Sequence, residues 1–154
     1  MVKGNPSTVY WDTSCFVAWF NREHGRYDTC NAIIEAARKD EIRLLTSWLT
    51  LAEIHKVTDE YPTEAEDIIA EFFRNPYIVK TAVDWSVTRI TRDLRGRFKL
   101  DTSDGIHLAT AIRYKADVLH TYDRDDLLRL NGQIPGYPLS ITEPSFTYQT
   151  EFTA

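Results

Sequence analysis

Apolar and polar positions along the chain fall into two alternating periods, and the alternation predicts the class of fold. Thr8-Val9-Tyr10-Trp11 is short, β-branched and aromatic, a strand pattern that ends on the polar Asp12. Ser14 to Phe20 reads as a short helix. Cys30, Ile33, Ile34 and Ala37 then recur at i, i+3, i+4 and i+7, which makes Arg26 to Arg38 an amphipathic helix. Ile42 to Thr46 is a second strand, and Ser47 stands where it can cap a helix from Trp48 to Val57. Tyr61-Pro62 interrupts the chain, and Thr63 with Glu66 forms a capping-box pattern for a helix reaching Phe73.

The same rhythm continues through the second half. Tyr77 to Thr81 is a third strand, and Val83, Val87, Ile90 and Leu94 mark a helix ending near Gly96. Ser103 or Asp104 opens another helix, with Gly105, Leu108, Ala109 and Ile112 on one face. Val118 to Tyr122 is a fourth strand closing at Asp123, followed by a short helix through Leu130. Leu139 to Thr142 adds an edge strand. Strands alternating with helices give an α/β domain with a parallel sheet, assigned here to residues 1–142, with 143–154 as a C-terminal tail.

Composition narrows the class without changing it. A chain of 154 residues suits one core, and 43% hydrophobic with 27% charged residues is ordinary for a globular protein. No apolar run approaches the roughly 20 residues that span a bilayer, and Met1-Val2-Lys3-Gly4-Asn5-Pro6 has no secretory hydrophobic segment. Cys15 and Cys30 are too few for a disulfide framework or a zinc quartet. Buried free thiols in a reducing compartment are expected, which places the protein in the cytoplasm. The net charge of -5 argues against a generally basic nucleic-acid binder. It leaves room for acid concentrated in one site and basic surface elsewhere.

Four acidic residues stand in settings that ask for an explanation. Asp12 and Asp123 each follow a strand, and ligands of open parallel sheets collect outside the carboxyl ends of strands. If the two strands are neighbours, both carboxylates reach one rim, although Asp also caps helices and turns routinely. Glu53 lies among Leu49, Ala52, Ile54 and Val57, where a carboxylate is costly unless paired or bound to a cation. Asp104 opens a helix, where the helix dipole alone favours an acid. Asp101 competes for its role, and Asp125 and Asp126 compete for that of Asp123. Two carboxylates about 4 Å apart repel by roughly 4 kcal/mol at an effective dielectric near 20, so converging acids call for a divalent ion. Hard oxygen ligands select Mg2+ or Mn2+, which can activate water against a phosphodiester.

Arg89, Arg92, Arg95, Arg97 and Lys99, with Asp93 the only acid among them, lie on one helix and its exit; such a stretch can hold phosphates, although a solvated helix face is its more common use. Trp48, Trp85 and Tyr122 can stack bases, but core packing is the expected use of each. His107, one turn beyond Asp104, can lean toward the site, but a neutral, exposed ring is the commoner case and no role is assigned to it.

On these residues the chain resembles the PIN-domain family, and most of all its VapC-type toxin ribonucleases. The resemblance lies in Tyr10-Trp11-Asp12-Thr13-Ser14, in Leu49-Thr50-Leu51-Ala52-Glu53-Ile54, in the segment from Asp104 to Ala111, and in Thr121-Tyr122-Asp123. It implies a three-layer α/β/α fold with a short parallel sheet of four to five strands. It also implies that Asp12, Glu53, Asp104 and Asp123 coordinate Mg2+ or Mn2+, with Ser14 and Asp126 supporting the site. RNA cleavage, homodimerisation and inhibition by an antitoxin are further expectations of the resemblance.

Two other classes remain to be weighed. A catalytically silent module of the same fold would keep the domain for partner contacts alone. An aspartate-based phosphotransfer domain would want a second Asp two residues after Asp12, where Ser14 stands, or a lysine after Lys115, and there is none.

Overall fold

The computed structural model describes residues 6–54 and 62–145. In chain order the elements are β1 (Thr8–Trp11), α1 (Thr13–Phe20), α2 (Tyr27–Arg38), β2 (Arg43–Ser47), α3 (Trp48–Glu53) and α4 (Pro62–Phe72). They continue with β3 (Ile78–Thr81), α5 (Trp85–Arg97), α6 (Thr102–Arg113), β4 (Val118–His120) and β5 (Ser140–Thr142). A single 3-10 turn at Leu128–Leu130 stands where the last short helix was expected.

All strand pairs are parallel, in the order β3-β2-β1-β4-β5. The chain builds outward from β1 through β2 to β3, then returns to lay β4 on the other side of β1. This reversal makes the carboxyl ends of β1 and β4 the switch point of the sheet, where ligand crevices form. The register sets Val9 opposite Val118 and Trp11 opposite His120.

Alternation along β1 separates two cores. Val9 and Trp11 face one side with Phe16, Ile33, Ile69 and Phe73, while Tyr10 faces the other with Val87, Leu94, Leu108 and Leu119. Helices thus cover both faces, as a parallel sheet requires. Phe16 is fully buried and meets Trp11 and Phe73 at ring-centroid distances of 5.0 Å each. Cys15 and Cys30 are buried free thiols.

Three local expectations change. α3 stops at Glu53 because Ile54 leaves helical geometry at ψ 89, instead of continuing to Val57, which lies outside the described residues. Ala52 is exposed, so the apolar stripe drawn around Glu53 overstated the burial of that helix. Trp85 and Trp48 are not core residues: they are 74% and 46% exposed. Trp85 follows the cap of α5 and lies on the face opposite Val87 and Leu94, which burial assigns to the core. The Thr63–Glu66 capping box and most of the tail, 146–154, also fall outside the described side chains and residues.

Among the described residues no helix is long and apolar enough to cross a membrane. Replacing Phe16 by alanine empties a ring-sized volume between α1 and the sheet. The expected loss is about 3–5 kcal/mol of unfolding free energy, measured by urea denaturation. A loss below about 1 kcal/mol would mean that the aromatic cluster does not anchor α1.

Candidate metal centre

Asp12 leaves β1 and occupies the N-cap position of α1. Its oxygens turn inward. One accepts from the Ser14 hydroxyl at 2.6 Å and the other from the Thr121 hydroxyl at 2.5 Å, so a carboxylate only 5% exposed has a donor on each oxygen. Those hydroxyls are themselves oriented from behind: Tyr122 N–H donates to Ser14 Oγ and Asp123 N–H to Thr121 Oγ1. Burial pushes the Asp12 carboxyl above its ordinary value, against the pull of His107 and the two hydroxyls.

Glu53 is held differently. The end of α3 points it toward α6, where Ser103 Oγ donates to one oxygen at 2.6 Å. The other oxygen receives Thr13 Oγ1 and His107 Nε2, each at 2.7 Å. Burial works against the charged form, but these donors prevail, and the carboxyl sits at about 2. His107 is not the exposed ring expected for its position: it is 2% exposed, and its Nδ1 lies 2.7 Å from the Tyr10 hydroxyl. With Glu53 ionised, Nε2 is the donor to it, and on a neutral ring the Tyr10 hydroxyl donates to Nδ1.

Asp101 is the residue that caps α6, accepting from Asp104 N–H at 2.8 Å. That frees the Asp104 carboxylate, which the dipole argument would have kept for the helix. It joins Asp123 and Asp126, and one oxygen of each lies within 4.8 Å of the other two. Asp123 folds back to accept Asp126 N–H at 3.1 Å, so one tight turn presents both acids to α6. Asp125 points away, exposed, with its carbonyl taken by Arg129. α6 can lie this close to α5 because residue 105 has no side chain: a Cβ there would meet Thr91 Cγ2 at 3.0 Å.

The trio is electrostatically unlike Glu53. Burial, then the charges of Asp101, Asp123 and Asp126, push the Asp104 carboxyl up to about 7. The three oxygen donors are of the hard type, and their separations are comparable with two metal–oxygen bonds end to end, about 4–5 Å. The residues therefore fit a divalent cation.

The structure thus gathers Asp104, Asp123 and Asp126 in one cluster. Asp12 and Glu53 stand outside it on the same rim, Asp12 tied to Asp123 through Thr121 and Glu53 tied to α6 next to Asp104. Thr13, Ser103, Thr121 and His107 were not singled out in the sequence as site residues. Ser103 and Thr121 do carry a signal, a hydroxyl beside each strand-end or helix-end acid. Arg89, Arg92 and Arg95 lie exposed along α5.

A five-stranded parallel sheet between helices, with an acidic cluster at its switch point, defines the class of fold. A family model, the PIN domain, matches residues 9–132, and the chain belongs to that family. Its fold is that of VapC-type toxins. It is similar to a toxin–antitoxin complex from Klebsiella pneumoniae, with a TM-score of 0.65, 22% identity, and 89% of this chain and 98% of that one covered. It is similar too to VapBC2 of Rickettsia felis bound to a promoter DNA fragment, at 0.63 and 17%, covering 87% and 98%. A third match is VapC20 of Mycobacterium tuberculosis, a sarcin-ricin-loop-cleaving toxin, at 0.62 and 16%, covering 76% and 91%. No curated protein matches the sequence.

The charges of the rim give a pH signature. Asp104 is raised to about 7 from 3.8, so the folded chain keeps a proton that the unfolded chain has released. The stability linked to it is fully present below its unfolded value and is lost as pH rises through about 7. Glu53, lowered to about 2, has the opposite sign: its contribution is present above 4.5 and is lost toward about 2. In chelator, the protein should therefore melt at a lower temperature at pH 8 than at pH 5. Asp104→Asn should raise the pH 8 melting temperature and narrow the gap. An unchanged gap in the variant would show that Asp104 does not carry the strain.

Proposed function

We propose that this PIN domain is an endoribonuclease that depends on Mg2+ or Mn2+ and acts as the toxin of a toxin–antitoxin pair. The observation that carries the reading is the Asp104–Asp123–Asp126 trio, with the Asp104 carboxyl pushed up to about 7 by burial and then by its acidic neighbours. Three acids so placed repel one another by roughly 3 kcal/mol per fully charged pair at an effective dielectric near 20, less where water screens them. A bound divalent ion offsets that repulsion.

In this reading Asp104, Asp123 and Asp126 hold the ion, and Asp12 and Glu53 complete the set directly or through its waters. When bound, the ion supplies a water of lowered pKa and a Lewis acid for the phosphoryl oxygens. The chain's own residues keep the rim anionic and fixed. Ser14 and Thr121 aim Asp12, while Ser103, Thr13 and His107 hold Glu53 ionised across the working pH range. Such outer partners orient ligands and raise their affinity for metal. Asp123 and Asp126, rather than Asp125, supply the acids after β4.

The antitoxin enters the reading through the solved neighbours, two of which are toxin–antitoxin assemblies. A homodimer and a cytoplasmic setting belong to it as well, the latter consistent with two free buried thiols.

The test is cleavage of labelled RNA with Mg2+, Mn2+ or chelator. Asp104→Asn and Asp123→Asn should each lower the rate by roughly two orders of magnitude or more. Both should fold, because each relieves repulsion. Cleavage that persists in chelator, or that is equal in wild type and both variants, would end the proposal.

A further inference from the structure

Two open grooves run along the solvent face of α5, and they share Arg92. One, of about 750 Å3, is lined by Trp85, Thr88, Arg89 and Asp93. The other, of about 800 Å3, continues past Arg95 and Gly96 to Asp101 and Asp126. Both are of the size that holds ligand groups. Asp126 belongs to the acidic trio, so the track begins on an exposed indole and ends at the candidate metal centre. At 1.5 Å per residue, the 13 residues of α5 make it about 20 Å long.

We infer that this face of α5 is a track for single-stranded RNA, which stacks an unpaired base on Trp85 and passes its phosphates along Arg89, Arg92 and Arg95 to the acidic cluster. The inference rests on the ribonuclease reading and assigns the surface along which the strand approaches that site. Trp85, Arg89, Arg92 and Gly96 follow one another at i, i+4, i+7 and i+11, so they share a stripe opposite the buried Val87, Thr91 and Leu94. The Trp85 ring is exposed, and the Arg89 guanidinium lies 5.7 Å from its centroid. Among the described residues, the ion pair on this helix joins Arg97 to Asp93, and Arg89 and Arg92 have no carboxylate partner.

An aromatic face beside unneutralised arginines is the chemistry that binds unpaired bases and their phosphates. A duplex hides its base faces and cannot use the indole in this way. A second copy of the chain is the competing occupant, and the oligomeric state of the variants distinguishes it. Gly96 contributes by its bareness: a Cβ there meets nothing within 4 Å, which leaves the backbone open between the arginines and Asp126.

The experiment measures binding of a fluorescent 12-nucleotide single strand and of a blunt duplex in chelator, with Mg2+-dependent cleavage followed in parallel. Trp85→Ala should weaken single-strand binding about tenfold and leave duplex binding unchanged. Arg89→Ala with Arg92→Ala should lower the slope of log K against log salt by about 1.4. Gly96→Glu, which adds a charge in open space, should weaken binding while preserving the melting temperature. Arg113→Ala, at the far end of α6, should change nothing.

Equal single-strand affinity in wild type, Trp85→Ala and Gly96→Glu would overturn the track, as would a wild type that binds no RNA. So would variants that turn a dimer into monomers by light scattering with RNA affinity unchanged, since the face would then be an interface between copies. Wild-type cleavage with affinity indifferent to the variants rejects the track and spares the nuclease. Track-dependent binding without cleavage does the reverse.

Discussion

β1 and β4 lie more than a hundred residues apart in the chain, yet their parallel ladder sets Trp11 opposite His120, and the acidic rim follows from that register. One residue beyond each strand, the Asp12 carboxylate meets the Thr121 hydroxyl, and two residues further on Asp123 turns back toward α6. A shift of the register by one position would move Thr121 to the other face of the sheet and leave Asp12 buried with an empty oxygen. Such a group is expensive, so the register and the carboxylate hold each other in place.

The rim then treats similar carboxyl groups in opposite ways. Glu53 and Asp104 are both partly buried, and burial raises each, but Glu53 sits at about 2 and Asp104 at about 7. The difference lies in what surrounds them. Glu53 has three donors on its two oxygens, whereas Asp104 faces other acids. At one end the protein's own hydrogen bonds hold the carboxylate in its charged form. At the other end, burial and the neighbouring acids push the Asp104 carboxyl up. The rim thus sets a frame held by hydrogen bonds beside a cluster of mutually repelling acids.

α5 shows how a single helix serves both core and surface. Its buried stripe locks it against α6 through the bare backbone at Gly105, and that contact brings Asp104 to the rim. Its other stripe, 180° around, carries Trp85 and the arginines. Placing the basic groups on a helix separate from the acids keeps positive charge near the cluster without neutralising it. A chain with net charge -5 can in this way present a cationic surface.

Periodicity alone determined the strands, most of the helices, the parallel α/β class and the placing of acids at strand ends, because those features depend on local spacing and on side-chain chemistry within a few residues. Thr8–Trp11 and the Cys30–Ile33–Ile34–Ala37 stripe are cases where local pattern and burial agree completely. Other features were not legible in this way. Whether Asp101 or Asp104 caps α6, whether Asp125 or Asp126 joins Asp123, and whether His107 and Trp85 face core or water all depend on neighbours distant in sequence. His107 is buried because Glu53 and Tyr10 arrive from two other elements, and Trp85 is exposed because the neighbouring turn of α5 already fills the core. Composition and spacing name the groups that can ionise or stack. Only packing decides which donors and charges stand beside them, and electrostatic energy is set by those distances.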